Sequence, residues 1–171
     1  MTPAELLIDA FDRVRDGAFA VVDGLTEDQL AHRVTPDANS IAWLVWHAYR
    51  VQDDHIADAA GLQQVWAARG FIEFFDLDLD EDDTGFGHTS AQVARVRAPA
   101  DLLARYVEEV HAQTVAWVGG LKEADLDWVV DTSWEEPVTL GVRLVSVVND
   151  ITQHIGQAAY VRGLLGGHVS V

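Results

Sequence analysis

The sequence contains no cysteine and a single lysine, Lys122. The absence of cysteine excludes a disulfide framework, a thiolate metal site and a cysteine nucleophile, so thiol chemistry needs a thiol from outside the chain. Basic side chains are also few: 11 lysines and arginines stand against 28 aspartates and glutamates, which gives a formal net charge of -17. Because this charge repels phosphate backbones and anionic lipid surfaces, we do not expect nucleic acid or membranes as partners.

A long apolar run and a basic leader are missing as well. The apolar run 41–46 is soon followed by His47 and Arg50, and it is far shorter than the roughly 20 residues that span a bilayer. The N-terminal residues 1–5 have no basic region ahead of an apolar stretch, so they do not resemble a secretory signal peptide. We therefore expect a cytoplasmic protein. The sequence is compatible with a monomer or a homodimer.

The chain does contain enough apolar material for one folded domain spanning residues 1–171. Of these residues 49% are hydrophobic and 23% are charged, which is typical of a globular domain. Apolar residues recur at helical spacing in four long segments whose ends carry capping residues, prolines or glycines. The predicted long helices are 3–23, 41–60, a third that begins at Ser90 or Pro99 and ends at 119–120, and 138–165. Four such segments bury their apolar faces best against one another, which predicts an all-α four-helix bundle.

The segments between these helices are predicted to be connectors. A capping-box pattern starting at Thr26 predicts a short helical turn, and 121–130 resembles a second connector. The region 61–89 gives a mixed signal and contains the acidic run 76–83, which lacks the central glycine and terminal glutamate of an EF-hand and is interpreted as a surface loop. A strand at 128–134 is not excluded, although one short run cannot build a sheet.

The last predicted helix carries the pair that is most promising for metal chemistry. Asp150 and His154 lie one turn apart and project from the same face. Two ligands leave a divalent ion under-coordinated, so a further ligand must come from another helix, and His47 in the middle of the second long helix is our candidate. Asp54 lies about 10 Å along that helix from His47 and cannot easily share the ion. The predicted ligands are His47, Asp150 and His154, a mixed nitrogen and oxygen set that suits zinc, nickel, iron or cobalt and leaves positions for water or substrate.

Other readings of the histidines remain open. A histidine near an apolar face is often a hydrogen-bonded core residue, and an Asp-x-x-x-His pair often bonds only locally. The Glu108-x-x-His111 spacing resembles half of a di-iron motif, but no second motif accompanies it, so we interpret it as a solvated helix face. No site is assigned to the histidines that lack a local ligand partner, which are His32, His55, His88 and His168, and His88 is interpreted as a loop residue.

Two segments of the sequence resemble the DinB-like four-helix-bundle superfamily. They are Trp46-His47-Ala48-Tyr49-Arg50-Val51-Gln52 and Asp150-Ile151-Thr152-Gln153-His154-Ile155-Gly156-Gln157. They are especially similar to the branch that contains mycothiol-dependent maleylpyruvate isomerase and mycothiol S-transferases. The resemblance implies a divalent metal, usually zinc, held by His47, Asp150 and His154.

The same segments differ from the family pattern at two positions. Asp150 stands where the family more often has glutamate, which shortens the reach of the carboxylate by one methylene, and Gln52 replaces a common acidic residue. The chain also has no room for the C-terminal extension of the two-domain isomerase, so maleylpyruvate isomerisation is not the expected reaction.

The function implied by the resemblance is thiol transfer to an electrophilic small molecule. A metal with open positions lowers the pKa of a bound thiol, and the resemblance implies that this thiol is mycothiol. We expect Arg50 to orient an anionic group and Trp43 and Trp46 to line an apolar pocket. The alternatives are a non-catalytic DinB-like protein that binds a metal or a small molecule, and a hydrolase that uses metal-bound water.

Overall fold

Four long helices dominate this computed structural model, which describes residues 1–166. Their bounds are α1 (Pro3–Val22), α3 (Ile41–Ala60), α7 (Ala100–Val118) and α8 (Leu140–Leu164). The short helices of the same described range are α2 (Glu27–Leu30), α4 (Val65–Ala68), α5 (Phe71–Phe75), α6 (Ser90–Val93) and a 3₁₀ turn at Glu123–Asp127. The prediction of an all-α four-helix bundle is confirmed. Gly167, predicted to follow the last helix, and His168, to which no site is assigned, lie outside the described residues.

The helix ends follow local capping chemistry. Thr2 and Thr26 both form capping boxes, and the Ser40 side chain accepts a hydrogen bond from the backbone N–H of Trp43. At the end of α3, Gly61 adopts the left-handed conformation with φ 64°, which an L side chain rarely adopts. Because these signals are local in sequence, they place the ends of the helices within a few residues of their predicted positions.

A two-stranded antiparallel ladder precedes α8 within the described chain. Its strands are β1 (Val129–Asp131) and β2 (Val138–Thr139), paired with Thr139 opposite Val129. The possible strand at 128–134 is thus present, and its partner comes from residues that were assigned to the start of the last helix. Helix α8 therefore begins at Leu140, and Thr139 caps it by accepting from the Val142 N–H.

Helix α3 packs most extensively against α8 and also packs against α7. Every residue from Ile41 to Arg50 is buried, the pattern of a helical segment that is covered on every face. The packing of α3 on α8 brings the middle of one helix against the middle of the other. No helix in residues 1–166 combines the length and the apolarity that crossing a bilayer requires.

Candidate metal centre

The packing of α3 on α8 brings together the three side chains predicted as ligands. His47 projects from α3, and Asp150 and His154 project from successive turns of α8. Each offers one ligand atom, and these atoms all lie within 4.8 Å of one another. We call these residues the ligand cluster. Its geometry suits a single divalent ion bound by two imidazoles and one carboxylate.

Both imidazole rings use Nδ1 for a backbone hydrogen bond. The Nδ1–H of His47 donates to the carbonyl oxygen of Thr84, and the Nδ1–H of His154 donates to the carbonyl oxygen of Asp150 at 3.0 Å. A carbonyl only accepts, so each Nδ1 carries the proton and each Nε2 keeps a free lone pair. Metal-binding histidines in proteins are oriented by such hydrogen bonds at the opposite ring nitrogen.

One carboxylate oxygen of Asp150 has no hydrogen-bond partner among the described residues. Its Oδ2 atom is buried without a hydrogen-bond partner and lies 3.8 Å from Nδ1 of His154. A buried carboxylate oxygen normally accepts hydrogen bonds or coordinates a cation, because its desolvation is otherwise unfavourable. A bound divalent cation would supply the missing partner, so the donor set fits a metal ion.

Burial keeps the His47 ring in the form that a metal needs. Desolvation lowers the pKa of His47 below its ordinary value of 6.5, and this outweighs the opposing effect of the hydrogen bond to Thr84. Its imidazole is therefore neutral at neutral pH, and only a neutral imidazole can bind a metal.

A cavity of about 400 Å³ opens beside the ligand cluster. His47 and Asp150 form part of its wall, and two exposed aromatic rings, Phe86 and Trp134, stand on its outer side at 92% and 67% exposure. The other lining residues come from α3, α8 and the segment before α6: Val51, Asp54, His55, Thr84, Arg143, Ser146 and Val147. A larger hollow of about 600 Å³ lies between the end of α1 and the start of α7, away from the ligand cluster.

The tryptophans predicted to line an apolar pocket lie behind His47 instead of in this cavity. Trp43 stacks on the His47 ring at a centroid distance of 4.5 Å, and Trp46, only 1% exposed, stacks on His88 at 5.9 Å. Both are buried because α3 is enclosed on nearly every side. Their contacts support the histidines, and Trp46 also lines a separate cavity of about 270 Å³ together with Trp66.

Arg50, which was expected to orient an anionic group, is also fully buried. Its Nε donates to the carbonyl oxygen of Asp83 at 3.1 Å and its Nη1 donates to Gln64 at 2.8 Å. The Asp53 carboxylate lies 3.8 Å away, and the guanidinium sits over the ring of Trp66. The Arg50 guanidinium is thus bound by groups inside the protein, and Arg50 does not line the cavity.

Two residues with no assigned site prove to belong to this region. His88 is a loop residue, as predicted, but its ring accepts a hydrogen bond from Trp43 and bonds to Asp83. His55 lines the cavity and accepts a hydrogen bond from Arg143, whose other end pairs with Asp131 at 2.7 Å. No local sequence pattern marks these residues, because their partners are distant in the chain.

Comparison with solved structures identifies the fold as a DinB-like helical bundle. The structure superposes on a crystal structure of a DinB-like protein from Bacillus cereus with a TM-score of 0.67 and 15% identity, covering 98% of this chain and 95% of that one. The crystal structure of a conserved protein from Enterococcus faecalis is more similar, with a TM-score of 0.90 and 31% identity over 98% of this chain and 99% of that one.

The sequence identifies the branch within this class. The Mycothiol-S-transferase family model matches residues 6–167. The chain belongs to the mycothiol S-transferase family. A search of the curated proteins finds no match.

Proposed function

We propose that the protein is a divalent-metal-dependent S-transferase that activates a low-molecular-weight thiol, mycothiol, for attack on an electrophilic small molecule. The observation that carries this proposal is the ligand cluster, whose three donor atoms lie within 4.8 Å of one another. The free Nε2 atoms of both histidines and the uncompensated oxygen of Asp150 support the same assignment. Membership of the mycothiol S-transferase family supports the choice of thiol.

Zinc is the metal we propose, with nickel, iron and cobalt as alternatives for the same donor set. A divalent ion held there would supply Lewis acidity that lowers the pKa of the thiol substrate, so that thiolate would be available at neutral pH. His47, Asp150 and His154 would hold the ion. With three protein ligands, the site resembles catalytic sites that keep a position open.

The chain itself contributes binding and orientation to the transfer. The thiol gives up its proton to solvent, and its sulfur forms a bond to an electrophilic carbon. In an addition the π bond at that carbon breaks and the neighbouring atom takes a proton from solvent, whereas in a substitution the leaving group departs with the electron pair of its bond to that carbon. The cavity beside the ligand cluster is where we expect substrate to bind. Because the chain has no cysteine, the reacting sulfur belongs to the thiol substrate and no covalent thiol intermediate forms on the protein.

The test combines metal analysis with a transfer assay. We expect stoichiometric divalent metal in protein purified without chelator, and conjugation of mycothiol to a chromogenic aryl halide that requires this metal. His154→Ala should lose both metal and turnover, whereas His32→Ala, a change to an exposed histidine on the connector after α2, should retain both.

Three results would contradict the proposal. Protein without stoichiometric metal would overturn the metal centre. Bound metal without consumption of thiol would indicate a binding protein instead of an enzyme. Turnover of the electrophile without added thiol would indicate a hydrolase.

A further inference from the structure

The loop from Asp83 to His88, which we call the 83–88 loop, packs directly on the ring of His47. Thr84 in this loop accepts the Nδ1–H hydrogen bond of His47. Gly85 adopts φ 91°, and a Cβ atom added there would lie 2.9 Å from Nδ1 of His47. The same Cβ atom would lie 3.0 Å from Trp46 and 3.2 Å from Trp43. Glycine is therefore required by the backbone angle and by the close approach of the imidazole.

A chain of hydrogen bonds holds the loop in this position. The indole N–H of Trp43 donates to Nδ1 of His88 at 3.0 Å. Indole only donates, so this bond fixes the proton of His88 on Nε2, which donates to Oδ2 of Asp83 at 2.8 Å. The other carboxylate oxygen of Asp83 accepts the backbone N–H of Gly85 at 2.7 Å. In each of these three hydrogen bonds, the donor and the acceptor are therefore fixed.

The loop is also anchored from the interior of the bundle. Arg50 donates to the carbonyl oxygen of Asp83, the residue before Thr84. Its guanidinium is held by Gln64 and by proximity to Asp53. The Thr84 carbonyl, which faces His47, is thus adjacent in sequence to the Asp83 carbonyl, and the fully buried Arg50 holds the latter in place. Such a fixed acceptor determines which nitrogen of the ring carries the proton.

We infer that the 83–88 loop fixes the tautomer and orientation of His47, with Gly85 and His88 as positioning residues that keep Nε2 of His47 turned toward Asp150 and His154. This inference rests on the proposed function, in which Nε2 of His47 binds the metal. The tautomer itself is a property of the metal-free protein. Arg50 and Trp43 support the loop from behind, in place of the substrate contacts expected from the sequence.

The first experiment measures zinc affinity by competition with a chromogenic chelator, and the visible spectrum of the cobalt-substituted protein. Gly85→Ala should weaken zinc binding by about 10-fold to 100-fold, the range observed when the groups that orient metal ligands are changed. Gly87→Ala is the matched control. Gly87 also has a positive φ, 73°, but a Cβ atom there would meet no described atom within 4 Å. Its affinity and cobalt spectrum should stay close to those of the wild type.

His88 is tested by loss and rescue. His88→Ala leaves the Trp43 N–H and the Asp83 carboxylate without their shared partner, so zinc affinity should fall and the cobalt spectrum should change. His88→Gln should restore much of both, because its amide oxygen can accept from Trp43 while its N–H group donates to Asp83. Far-UV circular dichroism of each variant checks that the helices are retained.

The second experiment reads the His47 tautomer in metal-free protein from its imidazole ¹⁵N shifts. The wild type and Gly87→Ala should show the Nδ1–H form, and Gly85→Ala should show a mixture of tautomers. Equal effects of Gly85→Ala and Gly87→Ala, or an unchanged tautomer in both Gly85→Ala and His88→Ala, would overturn the inference. A wild type that keeps the Nδ1–H form but binds no zinc would support the positioning and contradict only the proposed metal centre.

Discussion

At the residue scale, the observation that most favours a cation site is the buried Oδ2 atom of Asp150, which accepts no hydrogen bond from the described residues. An unsatisfied buried carboxylate oxygen is destabilising, whereas the same oxygen bound to a cation is not. Asp150 should therefore lower the stability of the metal-free protein and raise its affinity for a cation.

The first prediction exchanges the carboxylate for a neutral amide of the same shape. Asp150→Asn should lower zinc affinity by about 100-fold or more, because a charged ligand is lost and ligands count for more than the groups that orient them. The metal-free variant should be as stable as the metal-free wild type or more stable, by about 1 kcal/mol. Chelator competition and urea unfolding of the metal-free proteins measure the two effects. Loss of stability together with unchanged zinc affinity would assign Asp150 a structural role.

A second prediction concerns His154, which is half-buried on α8. His154→Ala should remove the metal but leave the fold, because apolar packing stabilises a helix far more than one ligand at its edge. Elemental analysis measures the metal, and far-UV circular dichroism with thermal unfolding measures the fold. Global unfolding of the variant would show that His154 is needed for packing.

The sequence could predict the pair on α8 because residues one turn apart on a helix share a face. His47 could be selected because it lies inside an apolar helical run, and the structure brings its ligand atom to the pair. The partnership of His88 with Trp43 could not be predicted, since 45 positions separate them and no periodicity links them. Arg50 shows the same limit, because its burial depends on what packs around α3.

At the scale of elements, helix α3 depends on a buried cap. Ser40 is 1% exposed, and its hydroxyl accepts the N–H of Trp43 at 3.2 Å. Removal of a serine N-cap costs about 0.5–2 kcal/mol, because an N–H at the helix start loses its partner.

The third prediction follows from this cap. Ser40→Ala should destabilise the protein by about 1–2 kcal/mol, toward the upper end of the usual range because the site is buried. Ser146→Ala is the control, since Ser146 is exposed within α8 and bonds only to the carbonyl of the preceding turn, an interaction that adds little to a helix. Urea unfolding measures both. Equal stability of the two variants would contradict the importance of the cap.

Helices could be placed from the sequence because their signals are short-range, whereas other elements depend on distant contacts. The pairing of β1 with β2 was not predicted, since a strand of two residues has no periodicity of its own and needs a partner. The region 61–89 gave a mixed signal for a related reason. Its short helices and its loop are held by buried partners such as Arg50 and Asp53, which sequence patterns do not reveal.

At the scale of the whole molecule, several histidines share one electrostatic property. Burial is the main cause that lowers the pKa values of His47, His55 and His111 below the ordinary 6.5. His111, which the sequence placed on a solvated helix face, is only 3% exposed and lies against Asp12 and Arg15. In the window between each lowered pKa and 6.5, the unfolded chain binds more protons than the folded one. Stability therefore rises with pH across this window and is fully present above it.

The fourth prediction is that metal-free protein loses stability as the pH falls below about 6.5. Urea midpoints of chelator-treated protein at about pH 7.5 and about pH 5.5 measure the change. His111→Gln, remote from the ligand cluster, should reduce the difference between the two midpoints. A midpoint that rises on acidification would show that the folded state takes up protons more readily than the unfolded one.

The placement of the ligand cluster on α3 and α8 also determines the stage of synthesis at which its three side chains are all present. More than half of the chain is synthesised between His47 and His154, and α8 is the last helix of the described chain to leave the ribosome. No translation product that ends before His154 holds all three side chains. We therefore expect metal insertion to be a late event in biogenesis, and chains interrupted before α8 should not bind the ion at this site.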